Sequence, residues 1–167
     1  MTVESFVVVG ASLAGLRAVE AARKGGYTGR ITLIGAEPHL PYDRPPLSKA
    51  YLDAGDEPEG TTFRTESVLT DELGVELVLG AHATGLDTVQ KLVHVGDRAI
   101  SYDALVIATG ADARRLPGTD HLRGVHTLRT LDDAEAVRVA LDAGARVVVI
   151  GAGFIGSEVA ASARKRG

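Results

Sequence analysis

Residues 5–9 are too apolar for a half-exposed position and predict a buried parallel strand. Leu13 to Lys24 then places Leu13, Leu16, Ala18, Val19, Ala21 and Ala22 at helical spacing, and Gly25-Gly26 ends the pattern. Arg30 to Ile34 is a second apolar run. Together they predict a βαβ unit with a right-handed crossover. A Pro-rich loop follows from Pro38 through Pro46, then a short helix over Ser48–Leu52 and an exposed acidic loop over Asp53–Gly60. Ser67–Leu73 predicts a further short helix and Val75–Leu79 a strand.

From about Ala81 to Tyr102 the pattern shortens to alternating runs broken by turn residues. Lys91–Val95, Gly96-Asp97 and Arg98–Tyr102 read as a hairpin. Ala104–Ala108 is again wholly apolar and predicts a parallel strand. Residues 111–130 carry Pro117 and Gly118 and predict irregular chain. Asp132–Asp142 predicts an amphipathic helix, with Asp132, Asp133 and Glu135 at the positive end of its dipole and Gly144 as its stop. Arg146–Ile150 and Ser157–Arg166 predict the strand and helix of a second βα unit.

Composition narrows the function classes. The chain has 167 residues, 45% of them hydrophobic, enough for one domain and part of another. A net charge of −4 offers no basic surface for nucleic acid. No cysteine is present, which excludes disulfides, thiolate metal sites and a redox dithiol within these residues. The five histidines show no metal-ligand spacing, so no metal site is expected. No apolar run approaches the roughly 20 residues of a membrane span, and no basic leader precedes the first strand, so a cytoplasmic location is expected.

The candidate chemistry lies in a repeated turn. Gly10-Ala11-Ser12-Leu13-Ala14-Gly15 and Gly151-Ala152-Gly153-Phe154-Ile155-Gly156 each join a β-branched run to a helix. A dinucleotide pyrophosphate needs backbone N–H groups at a helix N-terminus and no side chain in the way. Gly10 gives the tight exit from the strand and Gly15 the close helix packing. Ser12 replaces the usual middle glycine and offers a hydroxyl donor. Glu37 closes the second predicted strand, where an acid would hold ribose hydroxyls. The repeat predicts two dinucleotide sites.

The run Gly35-Ala36-Glu37-Pro38-His39-Leu40-Pro41-Tyr42-Asp43-Arg44-Pro45-Pro46-Leu47-Ser48-Lys49 resembles the flavin-contacting segment of the FAD-dependent ferredoxin reductases, the putidaredoxin and rhodocoxin reductase type. The resemblance covers the whole chain but only about two-fifths of a full member, so an N-terminal fragment is expected. It implies FAD along the first turn, against Gly10, Ser12, Ala14 and Gly15, with Glu37 on the adenosine ribose. Arg44 and Lys49 then lie near the pyrophosphate and the isoalloxazine, where a cation favours the reduced, anionic flavin. Lys49 is thereby the one residue assigned a catalytic role. Ala83 falls in the strand whose backbone meets the adenine, Ala108-Thr109-Gly110 matches a motif at a strand's carboxyl end, and Arg129 matches an FAD-contacting arginine. The second turn becomes the NAD(P)H site, through Gly151, Gly153, Ile155, Gly156 and Glu158, although Glu158 reads equally well as an ordinary acid at a helix start.

The fold implied is α/β: a Rossmann-like FAD-binding domain with an inserted antiparallel β-meander over residues 1–110, a connector over 111–144, and the first βα unit of a Rossmann-like NAD(P)-binding domain over 145–167. The reaction implied is hydride transfer from NAD(P)H to FAD, then single electrons to an iron–sulfur ferredoxin. Rival readings are a flavin NADH oxidase or disulfide reductase of the same layout, or a non-catalytic dinucleotide-binding module. Those rivals that carry a cysteine in the FAD domain place it where this chain has Pro45–Lys49. The residue selecting NADH or NADPH belongs about 20 residues past the second turn, beyond the sequence. Binding without full turnover is expected of this chain, and nothing in it sets an oligomeric state.

Overall fold

Ser5–Val9 forms β1, Leu13–Lys24 forms α1 and Arg30–Ile34 forms β2, with β1 and β2 parallel from Ser5↔Arg30 to Val9↔Ile34. The computed structural model describes residues 2–53 and 60–167, so the loop expected over Asp53–Gly60 lies mostly outside the described residues. Val75–Val78 forms β3, Ala83–Asp87 β4, Leu92–Val95 β5, Arg98–Ser101 β6 and Ala104–Ile107 β7. Leu131–Asp142 forms α2 and Phe154–Lys165 forms α3. The chain divides into two compact units, residues 1–43 with 62–110 and residues 44–61 with 111–167.

The first unit holds a parallel sheet of order β3-β2-β1-β7 and an antiparallel sheet β4-β5-β6. The alternation of side chains along β1 explains how both are joined. Val8 faces one side with Val19 of α1, Ile31, Leu33 and Val75. Val7 and Val9 face the other with Ile34, Val78 and, from the antiparallel sheet, Val93 and Val95. Both faces of the central strands β1 and β2 are covered, so these strands carry no polar alternation. Val8, Val19, Ile31 and Leu33 are each fully buried. The expected hairpin is present as β5–β6, and β4 completes the meander.

The second unit is built from α2, α3 and two 3₁₀ turns over Pro45–Ser48 and Ala50–Leu52. Leu47, Leu52, Ala134 and Leu141 are its buried apolar side chains. The single helix expected over Ser48–Leu52 is replaced by these two turns. Lys49 leaves helical geometry at φ −123°, ψ −109°, and this breaks the segment between the two turns. The helix expected over Ser67–Leu73 is a π-helical turn, Val68–Glu72. The helix expected to start at Ser157 starts at Phe154, immediately after the glycine turn.

One expectation fails outright. Arg146–Ile150 pairs with no strand among the described residues, and Val148 and Ile150 are 85% and 75% exposed. A strand is defined by the neighbour that takes its N–H and C=O groups. An apolar β-branched run predicts a strand only where such a neighbour exists.

Candidate functional site

In the first unit the two glycine-bearing segments meet at the point where the strand order reverses. β1 and β7 are adjacent, but β1 continues to β2 on one side while β7 lies on the other. Ligands of open parallel sheets collect outside the strand carboxyl ends at this switch point. Gly10 leaves β1 at φ +118°, and a Cβ there would stand 2.1 Å from the Ala108 carbonyl oxygen. Ala108 is held in turn by its N–H, which donates to the Val9 carbonyl at 2.7 Å. Thr109 and Gly110 follow, both exposed, with Gly110 at φ +70°. The turn and the Ala108-Thr109-Gly110 segment are therefore in contact, as one lip of the sheet.

A Cβ on Gly15 would stand 1.9 Å from the Gly10 carbonyl oxygen, so the first turn of α1 closes onto the strand exit. Ser12 is the N-cap of α1 in extended geometry. Among the described residues its hydroxyl accepts no capping bond, which leaves it available to a ligand beside exposed Ala14. These are the features of a pyrophosphate cradle: a helix start, a glycine no other residue can replace, and an uncommitted hydroxyl. The residues fit the dinucleotide the sequence implied.

Glu37 stands past the end of β2, half-buried, its carbonyl accepting from Gly80 N–H at 2.9 Å. The Tyr42 hydroxyl donates to its Oε2 at 2.5 Å. Tyr42 sits within the motif that drew attention to Glu37, yet nothing in its spacing marked it as a partner. Ala83 is the exposed first residue of β4, opposite Val95.

The second unit brings together residues far apart in sequence. Arg44 Nη1 donates to the Arg129 carbonyl at 2.6 Å, and Arg129 Nε donates to the Ala111 carbonyl at 2.9 Å. Arg129 is further fixed through Asp133, whose Oδ2 accepts from the Arg129 N–H at 2.8 Å and the Thr130 N–H at 3.1 Å. Thr130 and Asp133 form a capping box at the start of α2. The Thr-x-x-Asp spacing carried that signal, and the acidic first turn was legible only as a dipole effect. Arg44, Leu47, Ser48, Leu128, Arg129 and Ile155 line a recess of about 60 Å³, far below the roughly 300–1,000 Å³ of a cofactor cleft.

Beside this recess Lys49 Nζ pairs with Glu158 Oε2 at 3.0 Å, and the Ser48 hydroxyl donates to the same oxygen at 2.5 Å. The Ser48 hydrogen bond, with that from Lys49, holds the Glu158 carboxyl below its usual range. Glu158 is thus an ionised acceptor that offsets the Lys49 charge, more than the plain helix acid its position allowed. Gly151 repeats the first turn at φ +116°, with Gly153 as the N-cap of α3. A Cβ on Gly151 or Gly153 would meet nothing within 4 Å among the described residues, so this helix start is open to a ligand. Ile155 is 55% exposed beside it.

Among the described residues no helix is long and apolar enough to cross a membrane. The chain is 45% identical over 163 residues to the ferredoxin–NAD(+) reductase subunit of the benzene 1,2-dioxygenase system of Pseudomonas putida, covering 96% of this chain and 39% of that one. It is 43% identical over 165 residues to rhodocoxin reductase of Rhodococcus erythropolis, covering 98% and 38%. Among solved structures it matches the reductase of a covalent putidaredoxin reductase–putidaredoxin complex with a TM-score of 0.89 and 39% identity, over 98% of this chain and 40% of that one. The chain therefore spans about two-fifths of the length of these relatives. The sequence profile of the pyridine nucleotide-disulphide oxidoreductases matches residues 4–167, and the chain belongs to that family.

Proposed function

We propose that this chain is part of a FAD-dependent NAD(P)H:ferredoxin oxidoreductase that passes electrons to an iron–sulfur ferredoxin, and that it works in the cytoplasm. The observation that carries the reading is the doubled turn. Gly10 and Gly151 share one backbone geometry, φ +118° and +116°, each ahead of a helix start, as two dinucleotides require. Its relatives' names supply the acceptor class: three of the similar proteins are named as ferredoxin, rhodocoxin or putidaredoxin reductases.

In this reading residues 1–110 contribute the FAD-binding domain, 111–144 a connector and 145–167 part of an NAD(P)-binding domain. Gly10, Ser12, Ala14 and Gly15 hold the FAD pyrophosphate, Glu37 the adenosine ribose, and Ala83 the adenine edge. Ala108, Thr109 and Gly110 form the lip of that cradle. Arg44, Lys49 and Arg129 keep the cofactor contacts that the resemblance implies for them. Gly151, Gly153, Ile155, Gly156 and Glu158 receive NAD(P)H. Bound flavin supplies a two-electron acceptor able to release electrons singly. Lys49 supplies a fixed cation whose field is moderated by Glu158 at 3.0 Å.

The test is an absorption spectrum of the purified chain after addition of FAD and removal of the excess. Retained flavin bands are expected, and Lys49→Ala is then expected to lower the flavin midpoint potential, because the reduced anion loses its nearby cation. A protein that retains no flavin overturns the reading for this chain. A potential unmoved by Lys49→Ala overturns the role of Lys49 alone.

A further inference from the structure

We infer that Tyr42 is a positioning residue for the dinucleotide, its phenol holding the Glu37 carboxylate in the orientation that receives a ribose diol. The inference rests on the proposed role of Glu37 and adds a residue to which no role has been given. A glutamate at a strand end has three rotatable side-chain torsions, and binding must pay to freeze them unless the protein has already done so. Here it has. The Tyr42 hydroxyl donates to Oε2 at 2.5 Å.

Tyr42 can serve as an anchor because it is itself immobile. Its residue is 3% exposed, its backbone bridges to Thr62, and its ring lies edge-on to His39 with centroids 6.2 Å apart at 83°. The adjoining Pro41 carbonyl accepts from Phe63 N–H at 2.9 Å. Between Glu37 and Tyr42 the chain runs Pro38-His39-Leu40-Pro41, and the two prolines fix φ at both ends of the short loop. Glu37 is tethered at the other side through its carbonyl and Gly80 N–H.

A mere stitch within the loop makes a different prediction from a positioning role, and a double-mutant cycle separates them. FAD and FMN dissociation constants are measured for the unaltered chain, Tyr42→Phe, Glu37→Gln and the pair. Tyr42→Phe keeps the ring and its packing. It is expected to weaken FAD binding about tenfold, the effect of one charge-assisted hydrogen bond used for orientation. FMN lacks the adenosine ribose, so its affinity should stay the same. In the Glu37→Gln background, Tyr42→Phe should change FAD affinity by less than about twofold. Equal losses for FAD and FMN, or additive losses in the cycle, overturn the positioning role. An unaltered chain that retains FAD, with Tyr42→Phe binding it equally well, overturns this inference and leaves the proposed function standing. Failure of the unaltered chain to bind FAD overturns both.

Discussion

Alanine at Gly10 and alanine at Gly151 are the same local change in two surroundings, and comparing them separates two costs. Both glycines hold a φ that an L side chain rarely adopts, +118° and +116°, so each substitution carries backbone strain of about 1–3 kcal/mol. They differ in what the new methyl meets. At Gly10 it would lie 2.1 Å from the Ala108 carbonyl oxygen and 2.4 Å from its carbon, against an ordinary contact of 3.4–4 Å. At Gly151 it meets nothing within 4 Å among the described residues. Ala108 has little room to retreat, because its N–H is bonded to the Val9 carbonyl at 2.7 Å and β7 is paired with β1 up to Ile107. Moving that backbone by roughly 1 Å is overpacking, which costs about 1–3 kcal/mol more.

Gly10→Ala should therefore lose about 4 kcal/mol and Gly151→Ala about 2 kcal/mol. A difference of about 2 kcal/mol is roughly thirtyfold in the folding constant. Because the chain has two units, one global transition would mix them. The assay is native-state hydrogen exchange, reading β1 and β2 amides for Gly10→Ala and α3 amides for Gly151→Ala, with urea unfolding by circular dichroism as a check. Equal losses at the two sites would refute the steric argument. A loss under about 1 kcal/mol at Gly10 would refute the strain argument as well.

Two further outcomes follow from the charged groups. Asp103 is held below its usual range by the backbone N–H groups of Glu4 and Ser5, Asp53 by Lys165 and Ser162, and Glu158 by Ser48 and Lys49. Depressed carboxylates contribute stability above their unfolded pKa and lose it as pH falls through the folded value, so the Tm should drop as pH is taken from about 5 toward 3. Asp103→Asn should flatten that drop in a pH series of thermal melts. Arg166, its side chain 8% exposed, donates from Nε to the Leu52 carbonyl at 2.6 Å and from Nη2 to the Asp53 carbonyl at 2.8 Å, and pairs with Asp142. Arg166→Leu should destabilise the second unit by about 2 kcal/mol in native-state hydrogen exchange of the α3 amides, and Arg166→Lys should recover only part, since an ammonium cannot span the same fork.

The elements legible in the sequence were those whose burial leaves a periodic trace. β1, α1 and β2 fall on the residues their apolar pattern predicted, because Val7, Val8, Val9, Leu16, Val19, Ile31 and Leu33 all enter the core. The cradle glycines were legible for a related reason: a turn this tight admits almost no other residue. The pairing of Lys49 with Glu158, of Arg44 with the Arg129 carbonyl and of Tyr42 with Glu37 left no such trace. Each depends on where one polar atom stops in space, and the first two join segments that only tertiary folding brings together. The misread elements show the complementary limit. Ser48–Leu52 has the composition of a short helix, but the backbone of Lys49 at φ −123°, ψ −109° splits it between two 3₁₀ turns.

The two glycine turns divide what is local in a dinucleotide site from what is not. At the first, a Cβ on Gly15 would stand 1.9 Å from the Gly10 carbonyl oxygen and 3.3 Å from Val8 Cγ1. At the second, a Cβ on Gly156 would stand 2.4 Å from the Gly151 carbonyl oxygen and 3.2 Å from Val149 Cγ1. The same knot is tied twice from corresponding residues, although Arg146–Ile150 pairs with no strand among the described residues. The turn and its helix start therefore have the same close packing at both places. What β1 and β7 add is a fixed bearing: through the Ala108 carbonyl against Gly10, they settle where the α1 N–H groups point relative to Glu37 at the end of the next strand. Affinity for a pyrophosphate can arise at either turn. Selection of a whole dinucleotide requires a second contact at a fixed distance, and under the role proposed for Glu37 the sheet of the first unit would supply it.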